Sequence, residues 1–229
     1  MISFDVSLTR AAQSFRFRAE LDGRITAVIG RSGSGKTTLV RLLAGLITPT
    51  AGRIQFGERT VFDADRHMSL APEKRGIGFV FQTHRVFPHL TVKQNLAFAP
   101  VFCGRPSPID PTAVAEYLHL TGLLNRPASA LSGGEAQRCA LGRAILAAED
   151  LLIMDEPFAN LDPALTEEML CYLEKLPEIL NVPVLFITHS PAQARRLAPK
   201  TLLIHEGRTA FHGDTEEALA NPQYFGEFK

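Results

Sequence analysis

Gly30-Arg31-Ser32-Gly33-Ser34-Gly35-Lys36-Thr37 decides the reading of this chain. The segment follows a short apolar run at 25–29, suited to a buried strand, and opens a stretch with helical periodicity. It fits GxxxxGK[ST] in the context that pattern requires, strand before and helix after. The composition has a chemical reason. Glycines let consecutive backbone N–H groups point inward at a phosphate, where a side chain would block the approach. The helix N-terminus adds favourable partial charge. Lys36 has the reach for β- and γ-phosphates, and the Thr37 hydroxyl suits Mg²⁺. In the helix that follows, Leu39, Leu42, Leu43 and Leu46 form one apolar stripe, and Gly45 and Pro49 bracket its end.

Upstream, Ile2, Phe4, Val6 and Leu8 alternate on one strand face, and Phe15, Phe17 and Ala19 follow a polar turn. Downstream, strands are expected at 53–56, 60–62 and 77–81. The pattern then changes to helices and turns, broken by Pro100, Pro106, Pro108 and Pro111, which reads as a helical subdomain inserted at about residues 83–149. Strands resume at 151–154 and 184–188, continuous apolar runs of the kind that parallel sheets bury on both faces. Residues 201–204 and 209–211, joined around Gly207, read as a closing hairpin. The expected architecture is α/β: a mostly parallel sheet with helices on both faces, an N-terminal antiparallel β portion and the helical insertion.

Composition narrows the classes. At roughly 100–200 residues per domain, 229 residues make one large domain, or one domain with an inserted lobe. An apolar share of 45% excludes disorder. With 24 Lys+Arg against 24 Asp+Glu, the balanced charge argues against a general nucleic-acid binder. No apolar run approaches a membrane span, and the first ten residues are not a signal peptide. Cys103, Cys139 and Cys171 lie far apart without CxxC spacing and read as buried thiols of a reducing, cytosolic compartment.

Two further segments carry chemistry. Leu151-Leu152-Ile153-Met154-Asp155-Glu156 is a buried strand ending in adjacent acids whose side chains leave it on opposite sides. Asp155 suits the Mg²⁺ shell, and Glu156 suits polarising a water for attack on a γ-phosphate. Alone, such a pair is also a turn or capping feature; the glycine loop favours the chemical reading. Leu131-Ser132-Gly133-Gly134-Glu135-Ala136-Gln137-Arg138 contains an S-x-x-E capping box. A cap needs no glycine pair, and Gly133-Gly134 offers bare N–H groups as a second phosphate-binding surface. Because the first loop already holds phosphates, the second suits a nucleotide on another subunit, in a symmetric head-to-tail dimer.

Together with Gln82, Asn160-Leu161-Asp162 and His189, these motifs resemble the ATPase subunit of the ATP-binding-cassette family, a P-loop NTPase, over essentially the whole chain. The resemblance implies a homodimer that closes on ATP and Mg²⁺ and opens after hydrolysis. It implies that the loop, Thr38 included, holds the nucleotide, and that Ser132, Gly133, Gly134 and Glu135 reach it across the dimer. Gln82 would sense the γ-phosphate or Mg²⁺ as a metal ligand, with Thr37 and Asp155. Glu156 and His189 would be the catalytic base and the switch residue. Asn160-Leu161-Asp162 would be a cross-dimer loop; by itself it reads as a turn with capping chemistry.

Residues 72–82 (PEKRGIGFVFQ) and 90–96 (LTVKQNL), with 170–176 and Phe211-His212-Gly213, resemble importer ATPases, particularly those for molybdate. That similarity implies integral membrane permease subunits, an external substrate-binding protein, a place on the cytoplasmic face of the membrane, and molybdate or tungstate as cargo. The same ATPase motifs also fit an importer of sulfate or another nutrient, or a non-transport ATPase. Phe87, Pro88, His89 and Leu90 suit either a groove for a permease helix or packing of the helical lobe. Glu135 stands where the family most often has Gln. No tyrosine precedes Tyr117, so the usual adenine-stacking aromatic is missing and Phe15 or Phe17 is the candidate substitute. No C-terminal oxyanion-sensing domain is expected before the end at Lys229, as in a form unregulated by that route or a truncated one.

Overall fold

The computed structural model describes residues 1–10, 13–22, 24–82, 86–103, 107, 109–159 and 161–221. The elements begin with β1 (Ile2–Arg10), β2 (Gln13–Leu21), β3 (Ile25–Ile29), α1 (Lys36–Leu43), β4 (Ala51–Phe56), β5 (Arg59–Asp63) and β6 (Met68–Ser69). Next come β7 (Ile77–Val80), α2 (Val92–Cys103), α3 (Pro111–Tyr117), α4 (Gly133–Ala147), β8 (Leu151–Asp155) and α5 (Pro163–Ile179). Last are β9 (Val184–Ile187), α6 (Pro191–Leu197), β10 (Lys200–His205), β11 (Arg208–Asp214) and α7 (Thr215–Ala220). Two units emerge, one of Met1–Arg75 with Pro183–Lys229 and one of Gly76–Val182.

In the first unit the strand order is β6-β5-β4-β1-β2-β11-β10-β3-β9. The β1–β2, β1–β4, β4–β5 and β5–β6 pairs are antiparallel and form a meander. Its pattern follows from alternation: Ile2, Phe4, Val6 and Leu8 of β1 and Phe17, Ala19 and Leu21 of β2 are all buried. On the other side β3 lies between β10 and β9, parallel to both. Every residue of β3 and β9 is buried, as continuous apolar runs require of central parallel strands. Meander and parallel core meet at β2 and β11, which share the single ladder pair Arg208↔Arg16. Arg16 N–H donates to Gly207 O at 2.8 Å, and Arg18 N–H to Thr209 Oγ1 at 3.1 Å.

Helix α1 buries Leu39, Val40, Leu42 and Leu43 completely, each burial stabilising by about 1.5–3 kcal/mol. It ends at Leu43, so the fourth member of the expected stripe, Leu46, is 49% exposed. The cause is a Schellman closure: Gly45 takes φ 75°, its N–H donates to Leu42 O, and the Leu46 N–H donates to Arg41 O. Leu46 is therefore already outside the helical period.

In the second unit β7 and β8 pair in parallel. Helix α4 packs so closely on β7 that a Cβ at Gly78 would lie 1.9 Å from Ala144 O. Leu96, Val114 and Leu118, from α2, α3 and the residue after α3, close around Gly142 of α4. The expected break at Pro100 does not occur, since α2 runs through it to Cys103; one missing backbone bond is tolerated near the end of a packed helix, as it is at Pro177 in α5. Cys139 is buried in α4, but Cys171 is exposed. Met169, Leu170, Tyr172, Leu173 and Leu176 turn one face of α5 inward and leave Cys171 on the other. The Cys103 side chain lies outside the described residues. Among those, no helix is long and apolar enough to cross a membrane.

Candidate functional site

The glycine loop leaves the carboxyl end of β3 and feeds α1, within the first unit. A Cβ at Gly30 would stand 2.2 Å from Ile204 O, so only glycine lets the loop lie against β10. Gly35 caps α1 at φ 108° with no side-chain bond, which leaves the first helical turn open to an anion. Lys36 is 5% exposed, and its Nζ donates back to Gly30 O (2.8 Å) and Arg31 O (3.0 Å), curling the loop around the ammonium. The turn between β10 and β11 braces the loop through Gly207 N–H to Ser34 O at 2.8 Å. The Ser34 hydroxyl is buried with no partner among the described residues, and a Cβ at Gly33 would meet nothing within 4 Å. An orphaned hydroxyl, an uncapped helix start and open space at Gly33 fit a phosphate chain. Thr37 and Thr38 lie half-buried in the first turn, while Arg31 and Ser32 are exposed.

Of the two aromatics considered for the base, Phe17 is fully buried and cannot offer a face. Phe15 is half-buried and packs against the same loop, 3.1 Å from where a Cβ at Gly35 would stand. His189 belongs to the first unit too. It is exposed just beyond β9, which pairs with β3 as far as Val28↔Ile187, so loop and histidine leave the carboxyl ends of adjacent parallel strands. That is where open α/β sheets bind ligands. Its neighbours are pinned: Ser190 N–H donates to Thr188 Oγ1 (3.0 Å), and the Thr188 hydroxyl donates to Gln193 Oε1.

The second unit brings together Gln82 and Glu156. Gln82 Nε2 donates to Glu156 Oε2 at 3.2 Å. Asp155 closes β8, and Glu156 takes φ 50°, a left-handed conformation that an L residue holds only when its surroundings impose it. At α4 the capping box forms: Glu135 N–H donates to Ser132 Oγ (3.3 Å) and Ser132 N–H to Glu135 Oε2 (2.8 Å). The Ser132 bonds hold the Glu135 carboxyl below its usual range, helped by Arg126 and Arg138. The cap leaves Gly133 facing open space. Ser132→Ala is expected to lower stability by about 1 kcal/mol, read as a loss of roughly 3 °C in Tm. Asp162 caps α5 through Leu165 N–H at 2.9 Å, and Leu165 lies against Gly134. Asn160 lies outside the described residues. Phe87 packs within the lobe, 4.3 Å from Phe98 between ring centroids and under the Arg143 guanidinium.

Two buried polar residues escaped the sequence reading. Arg75 is fully buried beyond the far end of α1. Its Nη1 donates to Leu42 O (3.0 Å) and Leu43 O (2.8 Å), and its Nε to Leu70 O (3.0 Å), with no ion pair among the described residues. Burial pushes its pKa down to about 10, so the cation persists at neutral pH and offsets the negative end of α1. Nothing local marks it, because the Leu42 and Leu43 carbonyls come from a distant part of the chain. Gln137 left a trace: it stands at helical spacing with Ala140, Leu141, Ala144 and Ile145, a polar residue on an apolar stripe.

The ABC transporter family model matches residues 16–159, more than half of the chain. The chain belongs to the ABC transporter family. Among relatives, the molybdenum import ATP-binding protein ModC of Rhodospirillum rubrum is 41% identical over 97% of this chain and 60% of its own length. The ModC of Haemophilus ducreyi is 44% identical over 80% of this chain and 52% of its own. The chain thus spans little more than half the length of the curated relatives it matches. MJ0796, a bacterial ABC transporter cassette solved as a dimer, superposes with a TM-score of 0.75 at 24% identity, over 94% of this chain and 99% of its own. The ABC cassette fold, a P-loop α/β architecture, is shared throughout.

Proposed function

We propose that this chain is the ATP-binding and ATP-hydrolysing subunit of an importer for a small oxyanion, molybdate or tungstate. The observation that carries the cargo is the 41% identity to a molybdenum import ATP-binding protein across 97% of the chain. The nucleotide reading is supported by the loop, with its uncapped helix start, orphaned Ser34 hydroxyl and inward-curled Lys36. In this reading Gly30, Gly33, Ser34, Gly35, Lys36 and Thr38 bind the phosphates. Thr37, Asp155 and Gln82 are the residues that, by the resemblance to the family, would serve as Mg²⁺ ligands. Among the described residues no cluster of three or more His, Cys, Asp or Glu forms a cage, and Mg²⁺ in such enzymes needs only one or two carboxylates beside the phosphates and water. When bound, the ion neutralises phosphate charge. Glu156 takes the proton of the attacking water as its oxygen bonds to the γ-phosphorus and the bond to the leaving diphosphate breaks. His189 steadies the γ-phosphate. Gly133 and Gly134 present backbone N–H groups, and Ser132 its hydroxyl beside Glu135, to the nucleotide of a second copy, which makes the working form a head-to-tail dimer. It would work with permease subunits on the cytoplasmic face of the membrane, fed by a substrate-binding protein outside.

The test is cellular molybdenum and tungsten, measured by mass spectrometry at scarce supply, in a host without other high-affinity molybdate uptake. Wild type is expected to accumulate the metal and Lys36→Ala to fail, and excess molybdate, entering by low-affinity routes, is expected to restore the content of the variant. Equal metal in the two strains would discard the molybdate assignment and turn attention to sulfate and other nutrients.

A further inference from the structure

We infer that Gln137 is a positioning residue for Glu156, given the role proposed for that carboxylate. Gln137 is 1% exposed, on the face of α4 that an apolar side chain would fill at less cost. Its Oε1 is buried with no partner among the described residues, so packing does not account for its presence. Its Nε2 donates to Pro157 O, the carbonyl directly after Glu156. The turn that begins at Glu156 is otherwise closed by Ala159 N–H to Glu156 O at 3.0 Å. Two glutamine amides thus hold the left-handed Glu156 in place. Gln82 grips the carboxylate, at 3.2 Å, and Gln137 grips the backbone one residue on. The helix that carries Gln137 begins with Ser132-Gly133-Gly134, the surface offered to a nucleotide on the second copy. A shift of α4 on engaging that nucleotide reaches the base of its own chain through one side-chain bond, so Gln137 ties readiness for hydrolysis to dimer closure.

The test compares Gln137→Met, which keeps length and removes the donor, with Gln137→Glu, in steady-state ATPase assays of the full chain. Gln137→Met is expected to lower kcat roughly tenfold or more, with KM, affinity for a fluorescent ATP analogue and Tm unchanged. Gln137→Glu is expected to be as slow at about pH 8 and to recover relative to wild type toward about pH 6, because burial raises a carboxyl's pKa and the protonated acid can donate to Pro157 O. A merely structural role would not produce that recovery. Unchanged kcat in both variants, or a joint fall of kcat, ATP affinity and Tm without pH-dependent rescue, would overturn the inference. Wild type and Glu156→Gln run alongside: equal rates for those two would overturn the role of Glu156 itself, a separate failure.

Discussion

Glu156→Gln is expected to bind Mg-ATP normally while its turnover falls by roughly 100- to 10,000-fold, the usual worth of a positioned general base. The substitution preserves shape and leaves an amide oxygen that still accepts from Gln82 Nε2, so the left-handed turn at φ 50° has no reason to relax. What disappears is the negative charge that draws a proton from water. With the γ-phosphate uncleaved, the closed dimer proposed above should accumulate. Phosphate release and size-exclusion in the presence of Mg-ATP measure both effects. Hydrolysis at the wild-type rate would remove Glu156 from the chemistry.

Arg75→Leu is expected to cost about 3–5 kcal/mol, through buried carbonyls left without a donor at about 1–3 kcal/mol each. Two of them, Leu43 O and Leu70 O, lose their donor at once, and Leu42 O is left with the Gly45 N–H alone. The residue lies against Gly45, where a Cβ would approach its Nε to 2.5 Å, so solvent has no ready path to replace it. A Tm lowered by roughly 10 °C is the readout, with Arg75→Lys in between because a compact ammonium lacks the planar fork that serves several acceptors. A loss under 1 kcal/mol would mean that water reaches those carbonyls.

The parts of the molecule legible in the chain are those whose cause is local. The apolar run before the loop, the glycines at 30, 33 and 35, and the capping box of α4 each declare themselves within a few residues: the run is strand β3, the three glycines take positive φ, and the box closes. Periodicity misled at Leu46, because a positive φ at Gly45 stops the helix before the next turn of the stripe. The reading of Cys171 as buried failed for another reason: it rested on cysteine spacing, whereas the amphipathic face of α5 leaves that residue outside. Arg75 was illegible for a different reason: its acceptors lie in α1 and in the turn after β6, and become neighbours only on folding. Gln137 could have been found, since a glutamine on an apolar stripe needs a buried acceptor, but naming Pro157 O required the packed helix. Phe15 and Phe17, equivalent in the alternation of β2, were separated by burial alone.

The seam between β2 and β11 has an evolutionary consequence. With one ladder position in common, the antiparallel meander is attached to the parallel core as a graft rather than as a continuation of it. Insertions or exchanges in its outer strands need not re-register the strands that present the phosphate loop. Phe15 and Phe17 are the exceptions, because they press on Gly35 from behind. Variation in this lineage should therefore run freely at the meander's outer edge and stop where β2 touches the loop.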